Sequence, residues 1–348
     1  MNKREGAPPT IIDVARQAGV SIKTVSRVMN KEPTVHADTR ARVQQAVAAL
    51  NYRPQLSARS LAGAKSFLIG LLYYDPSAAF VAGVQQGATL RCREAGRHLV
   101  VESLQEGGVD LHGQIESMLA ALRPDGMILT PPLCDNPDIL QTLRANRTPC
   151  VLISPAVEGE VASVRMDDAL AAEELTNLLI SLGHTAIAFI EGNQAASLRR
   201  REGYERALKA HRLAVDPALV IPGTFEFESG VSAAEALFAL PSPPTAIFAA
   251  NDFMALGALT EAQRLGIAVP GDVAIVGFDD TDAASLVWPA LTTVRQPLAE
   301  MAMAAVEMLL AGQATPAEGQ PAAVRVLPHE VLVRGSTAAP ARSRARAG

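Results

Sequence analysis

From Phe67 onward the chain alternates between two textures. Short apolar runs (FLIGLLYY, HLVVESL, GMILT, CVLIS, AIAFIEG, TAIFAAN and DVAIVGF) read as buried strands. Amphipathic helical stretches lie between most of them, for example over 81–95, 169–182, 197–210 and 252–265. Strands that are apolar on both faces, alternating with helices, predict parallel sheets covered on both sides. Seven such runs are too many for one comfortable sheet, so the expected core is α/β with two doubly wound parallel-sheet lobes.

Residues 10–52 carry a different pattern, that of a small all-α head. Thr10-Ile11-Ile12-Asp13 resembles a capping box, and Val14, Ala15 and Ala18 then share one apolar face. Gly19 is suited to a left-handed C-cap, and Ser21 to a second N-cap. A helix over about 22–29 turns Val25 and Val28 inward. A third, over about 37–50, places Val43, Ala46, Val47 and Leu50 together, with His36 a weak cap. Helix, glycine turn, helix is the shape of a helix-turn-helix. Its second helix leaves Ile22, Lys23, Ser26 and Arg27 towards solvent. With Ser21 before them and Asn30 after, these are the candidate DNA contacts. Arginine pairs with guanine edges, and an apolar side chain meets the thymine methyl. Arg40 and Arg42 are candidate phosphate partners.

Charge sharpens this division. Residues 1–65 hold eleven Lys and Arg against four Asp and Glu, a net of +7, whereas residues 66–348 hold 20 against 32, a net of −12. Only the head is suited to a polyanion. Residues 53–66, RPQLSARSLAGAKS, read as a linker with a short helix at 55–61, too short to be stable alone. The tail at 336–348 is basic and expected to be disordered, without leucine heptads.

TIIDVARQAGVSIKTVSRVMN, NYRP and ARSLAG together resemble the lactose/galactose-repressor (LacI/GalR) family of bacterial transcription regulators. The resemblance continues through RREGY at 200–204, PTAIFAANDFMALGAL at 244–259, VPGDVAIVGFDD at 269–280 and PALTTVRQP at 289–297. It implies a periplasmic-binding-protein-like core, with lobe 1 at about 67–166 and 296–323 and lobe 2 at about 167–292 and 324–335. It further implies a homodimer on a near-palindromic, double-stranded operator, and a sugar-sized effector between the lobes. The linker helix is then expected to fold on DNA, with Leu61 entering the minor groove and Ala58 as the other groove-facing position. The family keeps an effector-binding arginine where Arg200 stands and an aspartate where Asp279 stands; Phe80 and Phe225 match aromatic pocket positions. Asn251, at a strand end, and Asp167, in MDD at the lobe crossover, complete the expected set. Tyr73 and Tyr74 are less securely placed. Gln194 and Ala196 depart from the polar contacts of purine-type members.

Other functions are disfavoured. MNKREGAPPT has no apolar stretch behind it, and no run reaches the roughly 18 residues of a membrane helix, so a cytoplasmic protein is expected rather than a secreted transport protein. There is no GxGxxG at the first strand–helix unit and no P-loop. The six histidines show no metal spacing, and Ser154-Pro155 lacks a nucleophile-elbow context. Neither an enzyme nor a cofactor is expected. Cys92, Cys134 and Cys150 are read as small core residues.

Overall fold

The computed structural model describes residues 9–29, 32–52, 65–74, 78–104, 110–157, 159–315 and 320–340. The chain forms two compact units, 1–67 and 68–348.

The first unit is a three-helix head: α1 (Ile11–Ala18), α2 (Ile22–Met29) and α3 (Ala37–Ala49). Both the backbone N–H and the hydroxyl of Thr10 donate to Asp13 Oδ2, at 3.0 and 2.9 Å, so the start of α1 is closed by its own residues. Gly19 ends it at φ 64°, and the Val20 N–H reaches back to the Ala15 carbonyl at 3.0 Å. Ser21 Oγ accepts from the Thr24 N–H at 3.1 Å and starts α2. His36 makes no side-chain cap at α3. Val14, Val25, Val28, Val43, Ala46 and Tyr52 form the core of the head.

In the second unit, the first lobe is a six-stranded parallel sheet. Its strands are β1 (Leu68–Tyr73), β2 (His98–Ser103), β3 (Gly126–Leu129), β4 (Cys150–Ile153), β5 (Ser163–Arg165) and β11 (Val324–Val326), in the order β11-β5-β4-β3-β1-β2. Side chains alternate across a strand, so each strand feeds two cores. Ile69, Leu71, Ile128, Val151 and Ile153 pack under α4 (Ala78–Glu94) and α12 (Leu298–Leu310). Leu72, Met127, Leu129 and Leu152 face α5 (Leu111–Leu122) and α6 (Pro137–Ala145). The three free cysteines are buried, and burial pushes their thiols up, Cys92 and Cys150 to about 11.

The second lobe is a parallel sheet of β6 (Ile187–Glu191), β7 (Val220–Pro222), β8 (Ala246–Ala249) and β9 (Ala274–Val276), ordered β7-β6-β8-β9. It carries α7 (Asp168–Ser181), α8 (Ala195–Ala210), α9 (Phe227–Phe238), α10 (Asp252–Arg264) and α11 (Asp282–Leu286). Phe189 stacks on Tyr204 and meets Phe248 edge-on, with centroids 5.2 and 5.1 Å apart. The antiparallel ribbon of β10 (Thr293–Arg295) and β12 (Glu330–Leu332) continues this lobe through a bridge between Val276 and Thr292. The chain passes between lobes three times: from β5 to α7, from β10 to α12 and from β11 to β12.

Two boundaries differ from expectation. Residues 324–326, placed with lobe 2 from the sequence, pair with β5 in the first lobe's sheet. The tail does not begin at 336. Ser336 is fully buried, its hydroxyl donating to the Ile275 carbonyl (2.6 Å) and accepting from the Thr292 N–H (2.8 Å). The His184 ring holds the Ala338 carbonyl at 2.8 Å, so the described part of the tail, 336–340, is bonded to lobe 2. Residues 341–348 lie outside the described residues. Among the described residues no helix is long and apolar enough to cross a membrane.

Candidate functional site

The head presents one face of α2. Val25 and Val28 are buried, which leaves Ile22, Lys23 and Arg27 exposed and Ser26 half-buried. Ile22, 48% exposed, adds an apolar side chain to this face. Arg27 Nε sits 3.5 Å from Glu32 Oε2, both about half exposed, so the pairing is weak and the guanidinium is exchangeable. Ser21 is exposed, but its hydroxyl is engaged in the cap and with Thr24 Oγ1 at 2.9 Å. Arg40 Nη2 donates to the carbonyls of Glu32 (2.8 Å) and Val35 (3.4 Å), which makes it a brace for the loop before α3. Arg42 is exposed. Asn30, Ala58, Leu61 and the expected linker helix lie outside the described residues.

The second site follows from strand polarity. In a parallel α/β fold the carboxyl ends of the strands all open on one side. Phe80 stands beyond β1, Pro131 beyond β3, Ser154 beyond β4 and Asp168 beyond β5. Gln194 and Ala196 follow β6, Phe225 follows β7, Asn251 follows β8, Asp279 follows β9 and Gln296 follows β10. These residues, from both lobes, line one cleft enclosing a cavity of about 50 Å³. A pocket of about 350 Å³ adjoins it, sharing Phe80, Asp279 and Gln296.

A buried charge network forms the floor. Arg200 lies on α8 and Asp168 at the start of α7; the backbones of these helices approach closely at Gly203, where a Cβ would fall 2.0 Å from the Ala169 carbonyl oxygen. Arg200 Nε donates to Asp168 Oδ1 at 3.0 Å and Nη1 to the Ala250 carbonyl at 2.5 Å. Asp279 Oδ1 is 3.7 Å from Nη1, and the guanidinium lies 3.8 Å above the Phe278 ring centroid. Gln296 Nε2 donates to Asp279 Oδ1 at 2.6 Å. Charges this buried persist only when paired and hydrogen-bonded.

The aromatic wall is held from behind. Phe225 has φ 66°, a strained conformation for a bulky residue. Asn251 Nδ2 donates to the Phe225 carbonyl (2.9 Å) while its Oδ1 accepts from the Met254 N–H (2.9 Å), capping α10. The Phe225 ring occupies the space over Gly192, where a Cβ would lie 2.2 Å from its edge. Asn251 lines the cleft, yet its main work is to position Phe225. Ser154 Oγ is buried without a hydrogen-bond partner.

Phe80, Arg200, Phe225, Asn251 and Asp279, chosen from the sequence, therefore come together. Asp167 does not line the cleft. It is the N-cap of α7, with Oδ1 accepting from the Leu170 N–H at 3.0 Å, and Asp168 takes the place expected for it. Tyr73 and Tyr74 are not among the lining residues. Pro131, Ser154, Asp168 and Gln296 were not anticipated. The first of two aspartates before a helix is the natural cap, and that signal points to Asp168 as the one left for the cleft.

Two family models match the chain: bacterial regulatory proteins of the lacI family over residues 10–55, and a periplasmic binding protein-like domain over residues 176–337. Catabolite control protein A of Priestia megaterium is 33% identical, covering 94% of this chain and 99% of its own. Among solved structures, a lac repressor dimer bound to operator and the anti-inducer ONPF superposes with a TM-score of 0.81 at 30% identity, covering 96% of this chain and 100% of the other. The transcriptional regulator CelR in complex with cellobiose gives a TM-score of 0.69 at 32% identity, covering 94% and 99%. With a helix-turn-helix head, two parallel-sheet lobes and likeness over nearly its whole length, the chain belongs to the LacI family of bacterial transcription regulators.

Proposed function

We propose that the protein is a cytoplasmic, homodimeric, sequence-specific transcription repressor of sugar-utilisation genes, relieved or engaged by a small sugar-like effector held between its lobes. The observation that carries this reading is the convergence of Arg200, Asp168, Asp279, Phe80 and Phe225 from both lobes on one cleft. The same chain offers Ile22, Lys23 and Arg27 on an exposed helix face. Polar groups that accept and donate around an aromatic wall suit neighbouring sugar hydroxyls.

In the head, α2 lies in the major groove, where Lys23 and Arg27 read base edges and Ile22 meets a thymine methyl. On DNA, Leu61 of the linker wedges the central base step. An effector touching both lobes favours one lobe angle, and the three interlobe crossings act as the hinge. That angle sets the spacing of the two linkers in the dimer, and so whether both heads reach their half-sites. A few kcal/mol of differential affinity suffices.

The second copy covers the apolar end of lobe 2, where Leu265, Leu286 and Trp288 are 45%, 82% and 87% exposed. A transport protein or an enzyme on this core would have no use for an exposed basic reading helix. A gel-shift assay with DNA from upstream of the protein's own gene, with and without a panel of sugars, tests the reading. A retarded complex whose stability changes with one sugar is expected; absence of sequence-specific retardation overturns it.

A further inference from the structure

We infer that the effector is an uncharged sugar, and that the cleft discriminates against sugar acids and phosphorylated sugars. This deepens the reading of the cleft as a sugar site and rests on it. The argument is one of charge. Among the described residues, the ionisable ones lining the cleft are Asp168, Asp279 and Arg200, two anions to one cation. The cation is already engaged: Nε is on Asp168, Nη1 on the Ala250 carbonyl, the guanidinium lies on the Phe278 ring, and the side chain is 5% exposed. A carboxylate on the ligand would compete with Asp168 and Asp279 for one guanidinium and would leave a net excess of buried negative charge.

The adjoining pocket strengthens the bias. It adds Asp280, Asp282 and Glu300. Its one arginine, Arg295, bonds Asp280 and Glu330, each at 2.7 Å. Asp280 is paired with Arg295 and Arg334, so an acidic group that projects out of the cleft on this side meets the like charges of Asp282 and Glu300.

Helix N-termini ordinarily favour anions, and two of those at the cleft are complemented by the chain's own carboxylates. Asp167 and Asp168 stand at the start of α7, and Asp252 at the start of α10. Two helices, α4 and α8, begin beside the cleft without an acidic residue in the first turn. The backbone N–H groups at these two N-termini serve a hydroxyl oxygen as well as a carboxylate. The buried Ser154 hydroxyl, which has no partner, supplies a neutral donor and acceptor of the kind a sugar hydroxyl needs.

Isothermal titration calorimetry of the full chain at pH 7.5 and low salt tests this with matched probes. Glucose, galactose, ribose and cellobiose form the neutral set; glucuronate, galacturonate and glucose 6-phosphate form the acidic one. A neutral sugar is expected to bind, with its acidic counterpart at least tenfold weaker. In Asp168→Asn, which releases Arg200 and removes one anion, that ratio is expected to narrow at least threefold. An acid that binds the wild type as tightly as its neutral counterpart overturns the inference while leaving the sugar reading intact. A ratio unchanged in a folded Asp168→Asn protein overturns the charge argument. Binding of neither set overturns the sugar reading itself.

Discussion

Arg200 and Asp168 form an ion pair at 3.0 Å in which neither side chain is more than 7% exposed. A buried cation with two carboxylate neighbours is held by its hydrogen bonds as much as by charge. Removing it takes the neighbouring cation from both Asp168 and Asp279. Arg200→Ala is therefore expected to cost about 3–5 kcal/mol of stability in urea unfolding and to abolish the effector response. Arg200→Lys keeps the charge but cannot bond Asp168 and the Ala250 carbonyl in the same geometry or lie flat on Phe278. It should fold better than the alanine variant and still fail to respond. An Arg200→Ala protein of wild-type stability would contradict the pairing.

Asn251 makes a separate test of the aromatic wall. Its amide holds the Phe225 carbonyl, and Phe225 sits at positive φ. Asn251→Ala removes this restraint and the α10 cap together, an expected loss of about 1–2 kcal/mol. Gly192→Ala leaves both bonds in place but drives the Phe225 ring from its seat. Both variants should weaken effector affinity by tenfold or more in calorimetry, with operator binding retained. If Gly192→Ala binds effector normally, Phe225 is not a ligand wall.

The helix-turn-helix is tested through Arg27. Its ion pair with Glu32 is long and half exposed, so little fold energy rests on that pair. Arg27→Ala should lower affinity for the preferred operator by about 1–3 kcal/mol and relax discrimination at one base pair. Binding of the wild type should fall steeply with salt. Competition gel shifts with single-base operator variants give the readout. Wild-type affinity and preference in Arg27→Ala would exclude α2 as the reading helix.

The lines of the fold that the sequence made legible are those written in long patterns. All seven apolar runs became strands, because strands buried on both faces need unbroken apolar side chains. Strands β5, β7, β10, β11 and β12 were not legible. Each has three residues, and β11 is mostly exposed at a sheet edge, so its place in lobe 1 depends on register with β5. In the cleft, Arg200 and Asp279 were legible through their motifs. Asp168, Ser154 and Gln296 were hidden because a side chain's direction at a strand end is set by the next turn. Asp167 and Asp168 are neighbours, and capping alone sends one to the helix and the other to the cleft. Arg40 shows the same limit: its bonds to the Glu32 and Val35 carbonyls depend on the loop's path, which its charge alone does not reveal.

Trp288 is 87% exposed beside Leu286, an unusual position for the chain's one tryptophan. Aromatic anchors of this kind dominate interface energies. Trp288→Ala should weaken dimerisation by more than 2 kcal/mol, seen by sedimentation as a monomer–dimer equilibrium shifted at least thirtyfold. Operator affinity should fall with it, since two half-sites are then no longer bound together. A Trp288→Ala dimer of unchanged stability would place the interface elsewhere.

His184 and Asp252 should set opposing pH dependences. Burial lowers the His184 pKa, with the bond to the Ala338 carbonyl working against it. That bond requires a proton on Nε2, and Thr245 Oγ1, 3.0 Å from Nδ1, can donate to the neutral ring. As pH falls through about 6.5, the unfolded chain takes up a proton that the folded chain resists, so stability drops. Asp252 behaves oppositely. Burial pushes its carboxyl up to about 6, although Thr293 Oγ1 and the Thr281 N–H donate to it, each at 2.7 Å, and nearby Asp280 adds to the rise. Between about pH 4 and 6 the folded state keeps a proton that the unfolded state has lost, so this group stabilises the fold as pH falls. His184→Gln, whose amide can still reach Ala338, should remove part of the loss between pH 7 and 5. Asp252→Asn should make that loss steeper. Urea midpoints of the isolated variants at half-unit steps from pH 5 to 7.5 measure both slopes; parallel profiles for wild type and His184→Gln would show that His184 titrates equally in the folded and unfolded chain.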